Sequence, residues 1–257
     1  MLVHGAAANS RWWDHLAPSL LDENFGHVVA IDLSGHGDSG WRTVYSREQW
    51  AAEVIGLVKG LGISSTPLLV GHSLGGVIAI EAVFREPEAW SGLIVVDSAI
   101  GWSFPRLGER KFGVDHRSPR KYADPSDAVS HFRVVPAQPR PAEHLMEHIA
   151  SQSLRGDAIS GWTWKFDPSI LTRKREAALA PWEEVADAMK GRFGYIRGEQ
   201  SVLVNEQQFQ TVAQKIGHQN ALTIRHAHHH LILDDPEAFL SALAILRVRW
   251  AGAARAR

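Results

Sequence analysis

Residues 68–84 read LLVGHSLGGVIAIEAVF, an apolar β-prone run that passes through Gly-x-Ser-x-Gly into a second apolar run. This pattern predicts a buried strand, a sharp turn with Ser73 at its tip, and a buried helix. Gly71 and Gly75 stand where the strand and the helix must approach closely. Such a turn, a nucleophile elbow, lifts the serine hydroxyl to the carboxyl end of a sheet, so Ser73 is the candidate nucleophile. The alternative is a chance glycine-rich turn, which would need neither the flanking strand nor the helix.

A serine hydroxyl is a poor nucleophile unless a base takes its proton and an acid orients that base. Residues 221–226 are predicted to form a late strand, and the next residues include a cluster of histidines before Pro236. A histidine at the end of the last strand can reach back over the elbow. The base is therefore expected in this cluster.

In this order the motifs resemble the α/β-hydrolase fold family over nearly the whole chain, in its serine-nucleophile, esterase- and lipase-like branch. Residues 2–5 (LVHG) are similar to its oxyanion strand and loop, and residues 28–39 (VVAIDLSGHGDS) to its next strand and turn. The resemblance implies an α/β fold with a mostly parallel sheet flanked by helices. In the family the catalytic histidine lies seven residues before the proline that opens the last helix, which implies His229.

The position of the residue that orients the base departs from the family pattern, because Ser201 stands where the family usually has an aspartate. In some branches the acid instead follows the strand after the elbow helix, and here that strand, residues 93–96, ends in Asp97. Asp97 is therefore the predicted acid, with Glu199 as the alternative. Asp234 and Asp235 are predicted as N-cap and first-turn residues of the last helix.

The oxyanion hole leaves almost no mark in a sequence, because backbone N–H groups form it. The resemblance implies the N–H of Leu74, which follows the nucleophile, and the N–H of Ala6, which follows His4-Gly5. The positive end of the helix that begins after Ser73 adds a favourable field for developing negative charge.

The histidine cluster has a second interpretation. His226, His228 and His230 alternate and would share one face of a continued strand, as a three-histidine zinc set could. The family pattern turns into a loop at this point, and the chain holds no cysteine. We therefore predict no metal and no cofactor.

Between Asp97 and a penultimate strand near Phe193, about ninety-five residues carry no sheet pattern and are too many for a simple connection. They predict a helical lid, 101–189, inserted between the core segments 1–100 and 190–257. Trp162 and Trp164 alternate within it and either line a pocket for an apolar or aromatic substrate or pin the lid to the core.

Composition and charge exclude some classes of binding partner. The 257 residues include 27 basic and 28 acidic side chains, which leaves no basic footprint for nucleic acid or anionic membranes. No leader or membrane-spanning run is evident, so a small-molecule substrate and a cytoplasmic location are expected. Family members usually carry two strands before the His-Gly strand, and these are missing or cut off here. The predicted strand 28–31 then becomes an exposed edge, which favours aggregation or a homodimer.

Together these features predict a serine hydrolase that cleaves a small or medium carboxylic ester, aromatic esters included, through an acyl-enzyme on Ser73. A lactonase, an amidase, a carbon–carbon bond hydrolase or a perhydrolase would use the same serine chemistry. A ligand receptor with an idle site is the alternative from a different class.

Overall fold

A parallel sheet of six strands organises the computed structural model, which describes residues 1–22, 26–101, 120–172 and 180–255. Its strands are β1 (Leu2–Val3), β2 (Ala30–Ile31), β3 (Leu68–His72), β4 (Gly92–Val96), β7 (Phe193–Gly198) and β8 (Ala221–Ile224). They lie in the order β2-β1-β3-β4-β7-β8, and every neighbouring pair is parallel. This confirms the predicted α/β fold.

Helices cover both faces of the sheet. The helices are α1 (Ala17–Asp22), α2 (Arg47–Gly60), α3 (Leu74–Arg85), α4 (Pro125–Ser130), α5 (Glu143–Gln152), α6 (Ser169–Thr172), α7 (Trp182–Ala188), α8 (Glu206–Ile216), α9 (Leu231–Asp234) and α10 (Pro236–Arg255). Capping boxes fix the starts of α2 and α8, where Ser46 and Asn205 each accept a backbone N–H three residues on. No described helix is both long and apolar enough to cross a membrane.

The central strands are buried on both faces, as is typical of parallel sheets. In β4, Leu93 and Val95 pack into a core with side chains of α2, α3, α7 and α8. Ile94 and Val96 point the opposite way, into a second core with side chains of α5, α9 and α10. Because both faces are apolar, the sheet is held in one register and its carboxyl ends become a fixed platform for the site.

Strand β2 lies at one edge of the sheet and, within the described residues, pairs only with β1. It is shorter than the predicted strand 28–31, because Val28 and Val29 precede the paired residues and are half-buried. The edge therefore presents unpaired backbone groups over a short length.

The segment predicted as a helical lid contains helices α4 to α7 but also an antiparallel hairpin, β5 (Leu154–Asp157) and β6 (Gly161–Trp164). The expectation that this segment holds no sheet was wrong. The hairpin strands are four residues long and include Gly156 and Asp157, residue types that strands disfavour, so the local pattern is weak. A backbone bridge from Tyr122 to Trp162 supports the hairpin from outside. The sequence also predicts a helix over residues 173–179, and this prediction lies outside the described residues.

Candidate active site

The elbow has the predicted geometry, with Ser73 between the end of β3 and the start of α3. Its backbone angles are φ +54° and ψ −118°, a region that non-glycine residues rarely occupy. A Cβ on Gly71 would lie 2.2 Å from the carbonyl oxygen of Gly75, and a Cβ on Gly75 would lie 2.3 Å from that of Val3. Both glycines are therefore required by close backbone contacts.

A chain of hydrogen bonds joins Ser73 to His229 and His229 to Asp97. Nε2 of His229 lies 3.1 Å from Oγ of Ser73, and its Nδ1 lies 2.7 Å from Oδ2 of Asp97. A carboxylate oxygen can only accept, so Nδ1 carries the hydrogen and Nε2 is free to accept the serine proton. His229 is 2% and Asp97 0% exposed, whereas Ser73 is half-buried. The structure thus brings the three predicted residues together in the arrangement of nucleophile, base and acid.

Asp97 follows the last residue of β4, in a left-handed conformation with φ +44°. Its Oδ1 accepts the backbone N–H of Gly198 at the end of β7, over 3.0 Å. Its Oδ2 accepts the hydroxyl of Ser201 over 2.6 Å as well as the imidazole of His229. Because β4 and β7 are neighbours in the sheet, a carboxylate at the end of β4 reaches the groups that follow β7.

Sequence reasoning missed two serines of the site. The sequence marks Ser201 only as a position that lacks the usual acid, yet its hydroxyl donates to the carboxylate of Asp97. Ser98 donates its hydroxyl over 2.7 Å to the carbonyl oxygen of Ser73 and so braces the elbow. The placement of Ser98 directly after the predicted acid was the available signal.

The alternative acid, Glu199, lies elsewhere. Its Oε2 accepts the backbone N–H of His226 over 2.8 Å, and no hydrogen bond among the described residues joins it to His229. Asp235 caps α10 as predicted, accepting the N–H of Ala238 over 2.9 Å. Asp234 ends α9 instead and accepts the N–H of His228 over 2.7 Å, so its predicted helix-start position was wrong.

The loop after β1 lies against the elbow. A Cβ on Gly5 would be 3.4 Å from Cβ of Ser73, which places Ala6 next to the site. Residues Gly5 to Ala8 form a turn closed by the N–H of Ala8, with Ala7 at φ +57°. Leu74 begins α3, so its N–H belongs to the helix end that lacks intrahelical acceptors. The oxyanion roles of Ala6 and Leu74 remain predictions.

The histidines predicted as an alternative zinc set do not converge. The side chain of His226 is 76% exposed near Glu199, and that of His228 lies beside Asp234. His230 is buried instead against two other imidazoles, those of His72 and His229. Burial lowers the pKa of His72 to about 3 and holds that of His230 well below its usual value, so both rings are neutral at pH 7.

The two tryptophans of β6 differ in surroundings. Trp164 lines a small cavity with Ala7 of the loop after β1 and with two aromatic side chains of the inserted segment, Phe132 and Phe166. Both tryptophans pack on the cluster of Tyr122, Ala128 and Leu154, and Trp162 also bridges the backbone of Tyr122. Of the two predicted roles, lining a cavity fits Trp164, whereas these contacts of Trp162 lie within the inserted segment and do not join it to the core.

A buried parallel sheet with this elbow and hydrogen-bond chain defines an α/β hydrolase. The chain belongs to the alpha/beta hydrolase family, whose sequence pattern matches residues 1–242.

Several curated relatives are similar to this chain. The esterase Rv0045c of Mycobacterium tuberculosis (strain ATCC 25618 / H37Rv) is 26% identical over 246 residues, covering 93% of this chain and 79% of that protein. The 2-hydroxymuconate semialdehyde hydrolase of Pseudomonas putida is 33% identical over 107 residues, covering 41% of this chain and 37% of that protein.

Solved structures show the same fold. The thioesterase domain from the curacin biosynthetic pathway has a TM-score of 0.74 at 22% identity, covering 95% of this chain and 89% of that domain. A structure of the esterase Rv0045c, from work on its inhibition by transition metals, has a TM-score of 0.70 at 20% identity, covering 94% of this chain and 82% of that one.

Proposed function

We propose that the protein is a serine hydrolase that cleaves a small or medium carboxylic ester through an acyl-enzyme on Ser73. The observation that carries the proposal is the hydrogen-bond chain from Ser73 through His229 to Asp97, at 3.1 and 2.7 Å. The similarity to an esterase over 93% of the chain supports an ester as the substrate class.

In the proposed reaction, Nε2 of His229 removes the hydroxyl proton as Oγ of Ser73 attacks the ester carbonyl carbon. The imidazolium that forms is stabilised by the carboxylate of Asp97. The N–H groups of Leu74 and Ala6 hold the developing oxyanion, each contributing about a hundred- to a thousandfold in rate. His229 then returns the proton to the leaving alcohol, and the same base activates water to release the acid.

The small cavity beside the loop after β1, about 20 Å³, supports contact with an apolar group of the substrate on its aromatic side, while Asn9, Ser153 and Lys165 give it a polar side. Trp164, Phe132 and Phe166 line it next to Ala7, one residue from the proposed oxyanion donor. We propose that the segment 101–189 acts as a lid and that its opening enlarges this cavity enough to take the acyl or alcohol group.

Carbon–carbon bond hydrolysis is the second candidate, supported by the local similarity to 2-hydroxymuconate semialdehyde hydrolase. It would use the same three side chains on a substrate with a cleavable bond beside a carbonyl group.

The test is the intact mass of the protein after brief exposure to a fluorophosphonate, followed by turnover of p-nitrophenyl esters of increasing acyl length. Wild type and Ser160→Ala, which changes an exposed serine, should each gain one adduct and hydrolyse the esters. Ser73→Ala should do neither. A folded wild type without an adduct would contradict the proposal and favour a ligand receptor.

A further inference from the structure

We propose that His72, His229 and His230 form a binding site for a Zn²⁺-like transition-metal ion, and that the bound ion switches the hydrolase off. These histidines differ from the alternating set that the sequence suggested. His72 comes from the end of β3, and the other two come from the loop that follows β8.

The three rings form one buried cluster. The ring centroids are 4.8 Å apart for His72 and His229, 4.7 Å for His229 and His230, and 5.5 Å for His72 and His230. One nitrogen from each ring lies within 4.8 Å of one from each of the others. In a tetrahedral zinc site such nitrogens are about 3.3 Å apart, given Zn–N distances near 2.0–2.1 Å, so the nitrogens must approach one another by at most about 1.5 Å.

Hydrogen bonds leave a lone pair on each ring. Nε2 of His72 donates to the carbonyl oxygen of His229, and Nε2 of His230 donates to that of Val135. Nδ1 of His229 donates to Asp97. Carbonyl and carboxylate oxygens only accept, so the remaining nitrogens are Nδ1 of His72, Nε2 of His229 and Nδ1 of His230, all unprotonated.

This pattern is the one that metal-binding histidines show, because their second ring nitrogen usually donates to a carboxylate or a backbone carbonyl. Nδ1 of His230 is buried and has no hydrogen-bond partner among the described residues. An unpartnered lone pair in a buried site has a free-energy cost that a metal ion would remove. Three neutral imidazoles with an open fourth position suit Zn²⁺, Cu²⁺ or Ni²⁺.

Inhibition follows because His229 is both a proposed metal ligand and the proposed base, so this part of the inference rests on the proposed function. A metal ion held by Nε2 of His229 takes the lone pair that would accept the proton of Ser73. The serine then loses its base while the fold is unchanged. Binding itself does not depend on catalysis, so the two parts can be measured separately.

The experiment measures Zn²⁺ binding by equilibrium dialysis and fluorophosphonate labelling in the same samples, for wild type, His230→Gln and His226→Gln. Glutamine at position 230 can still donate to Val135, and His226 is a matched exposed histidine. Wild type and His226→Gln should each bind one Zn²⁺ ion. Their rate of fluorophosphonate labelling should fall at least tenfold when Zn²⁺ is bound and return to the metal-free rate after EDTA is added. His230→Gln should bind at least tenfold more weakly and keep its labelling rate in the same Zn²⁺ concentration.

Equal Zn²⁺ binding and inhibition in wild type and His230→Gln would overturn the inference. Should His230→Gln fail to fold, ¹⁵N-histidine NMR of wild type decides, since Zn²⁺ must shift the imidazole signals of His72, His229 and His230 and leave those of His226 and His228 unmoved. Absence of labelling in metal-free wild type would count against the proposed function, while the dialysis result would still test the site.

Discussion

Ser201 donates its hydroxyl hydrogen over 2.6 Å to Oδ2 of Asp97, the carboxylate oxygen that also accepts from His229. The residue in the usual acid position of the family thus donates to the carboxylate that we propose as the acid, which follows another strand. The same hydroxyl accepts the N–H groups of Leu203 and Val204, which fixes its direction. A carboxylate at either position would lie close to the imidazole.

We therefore expect the acid to be transferable between the two positions. Asp97→Asn should lose most activity. The double variant Asp97→Asn/Ser201→Asp should have a kcat at least about tenfold higher than that of Asp97→Asn, because position 201 then provides the negative charge. Ester turnover of both variants at equal folded concentration measures this. No recovery in a folded double variant would mean that the side chain at 201 cannot reach His229.

The assignment of the acid predicts different effects for two carboxamide substitutions. Asp97→Asn should lower kcat on the order of a thousandfold or more, because the imidazolium loses its counter-charge and its tautomer is no longer fixed. Glu199→Gln should change kcat less than about twofold, since Glu199 contacts the backbone of His226 instead. A collapse of kcat in Glu199→Gln alone would refute the assignment of Asp97.

The elbow glycines predict a sharp contrast in stability. Gly71→Ala should destabilise the fold by about 3 kcal/mol or more, because its Cβ would lie 2.2 Å from a backbone oxygen. Gly56→Ala, in the interior of α2 with no atom within 4 Å of the new Cβ, should instead stabilise by about 0.5–1 kcal/mol. Urea unfolding of the two variants gives both values, and equal midpoints would contradict the close-contact argument.

The buried histidines predict that the protein loses stability in mild acid. His72 has a pKa of about 3 when folded and an ordinary value of 6.5, because burial disfavours its charged form. As pH falls below 6.5 the unfolded chain takes up this proton first, so the free energy of unfolding decreases down to about pH 3. At pH 5 this group alone lowers the free energy of unfolding by about 2 kcal/mol.

Denaturant unfolding at pH 7.5 and pH 5 checks that value. His72→Gln should lose less free energy of unfolding between the two pH values than wild type, whatever its stability at pH 7.5. His226→Gln, which removes an exposed histidine, should keep the wild-type difference. An identical pH difference in all three proteins would show that His72 is not buried as described.

The cavity beside the loop after β1 predicts that a substitution of Trp164, which lines it, changes the substrate preference. Trp164→Leu should shift the preferred acyl or alcohol length and raise KM several-fold, because Trp164 lines the cavity beside the loop after β1. Trp162→Leu should lower the melting temperature with little effect on relative KM values, since Trp162 packs against Tyr122. A p-nitrophenyl ester series measured on both variants tests the difference, and equal KM profiles would remove Trp164 from the substrate site.

The sequence by itself determined the features that depend on neighbouring residues. The run around Ser73 specified strand, turn and helix, because apolar periodicity and glycines at the contact positions act over a few residues. The spacing between His229 and Pro236 located the histidine through resemblance. The runs at residues 50–61 and 207–216 predict amphipathic helices, and the structure has helices α2 and α8 there, each beginning within three residues of its run.

Only the tertiary structure decided which distant side chains meet. Asp97 and His229 are 132 residues apart, and they touch because β8, which precedes the loop with His229, lies next to β7, and β7 lies next to β4. The same packing separates His226 and His228 from His230 and places His72 beside His229 instead. Such encounters depend on strand order and on the burial of both sheet faces, which no local pattern of residues contains.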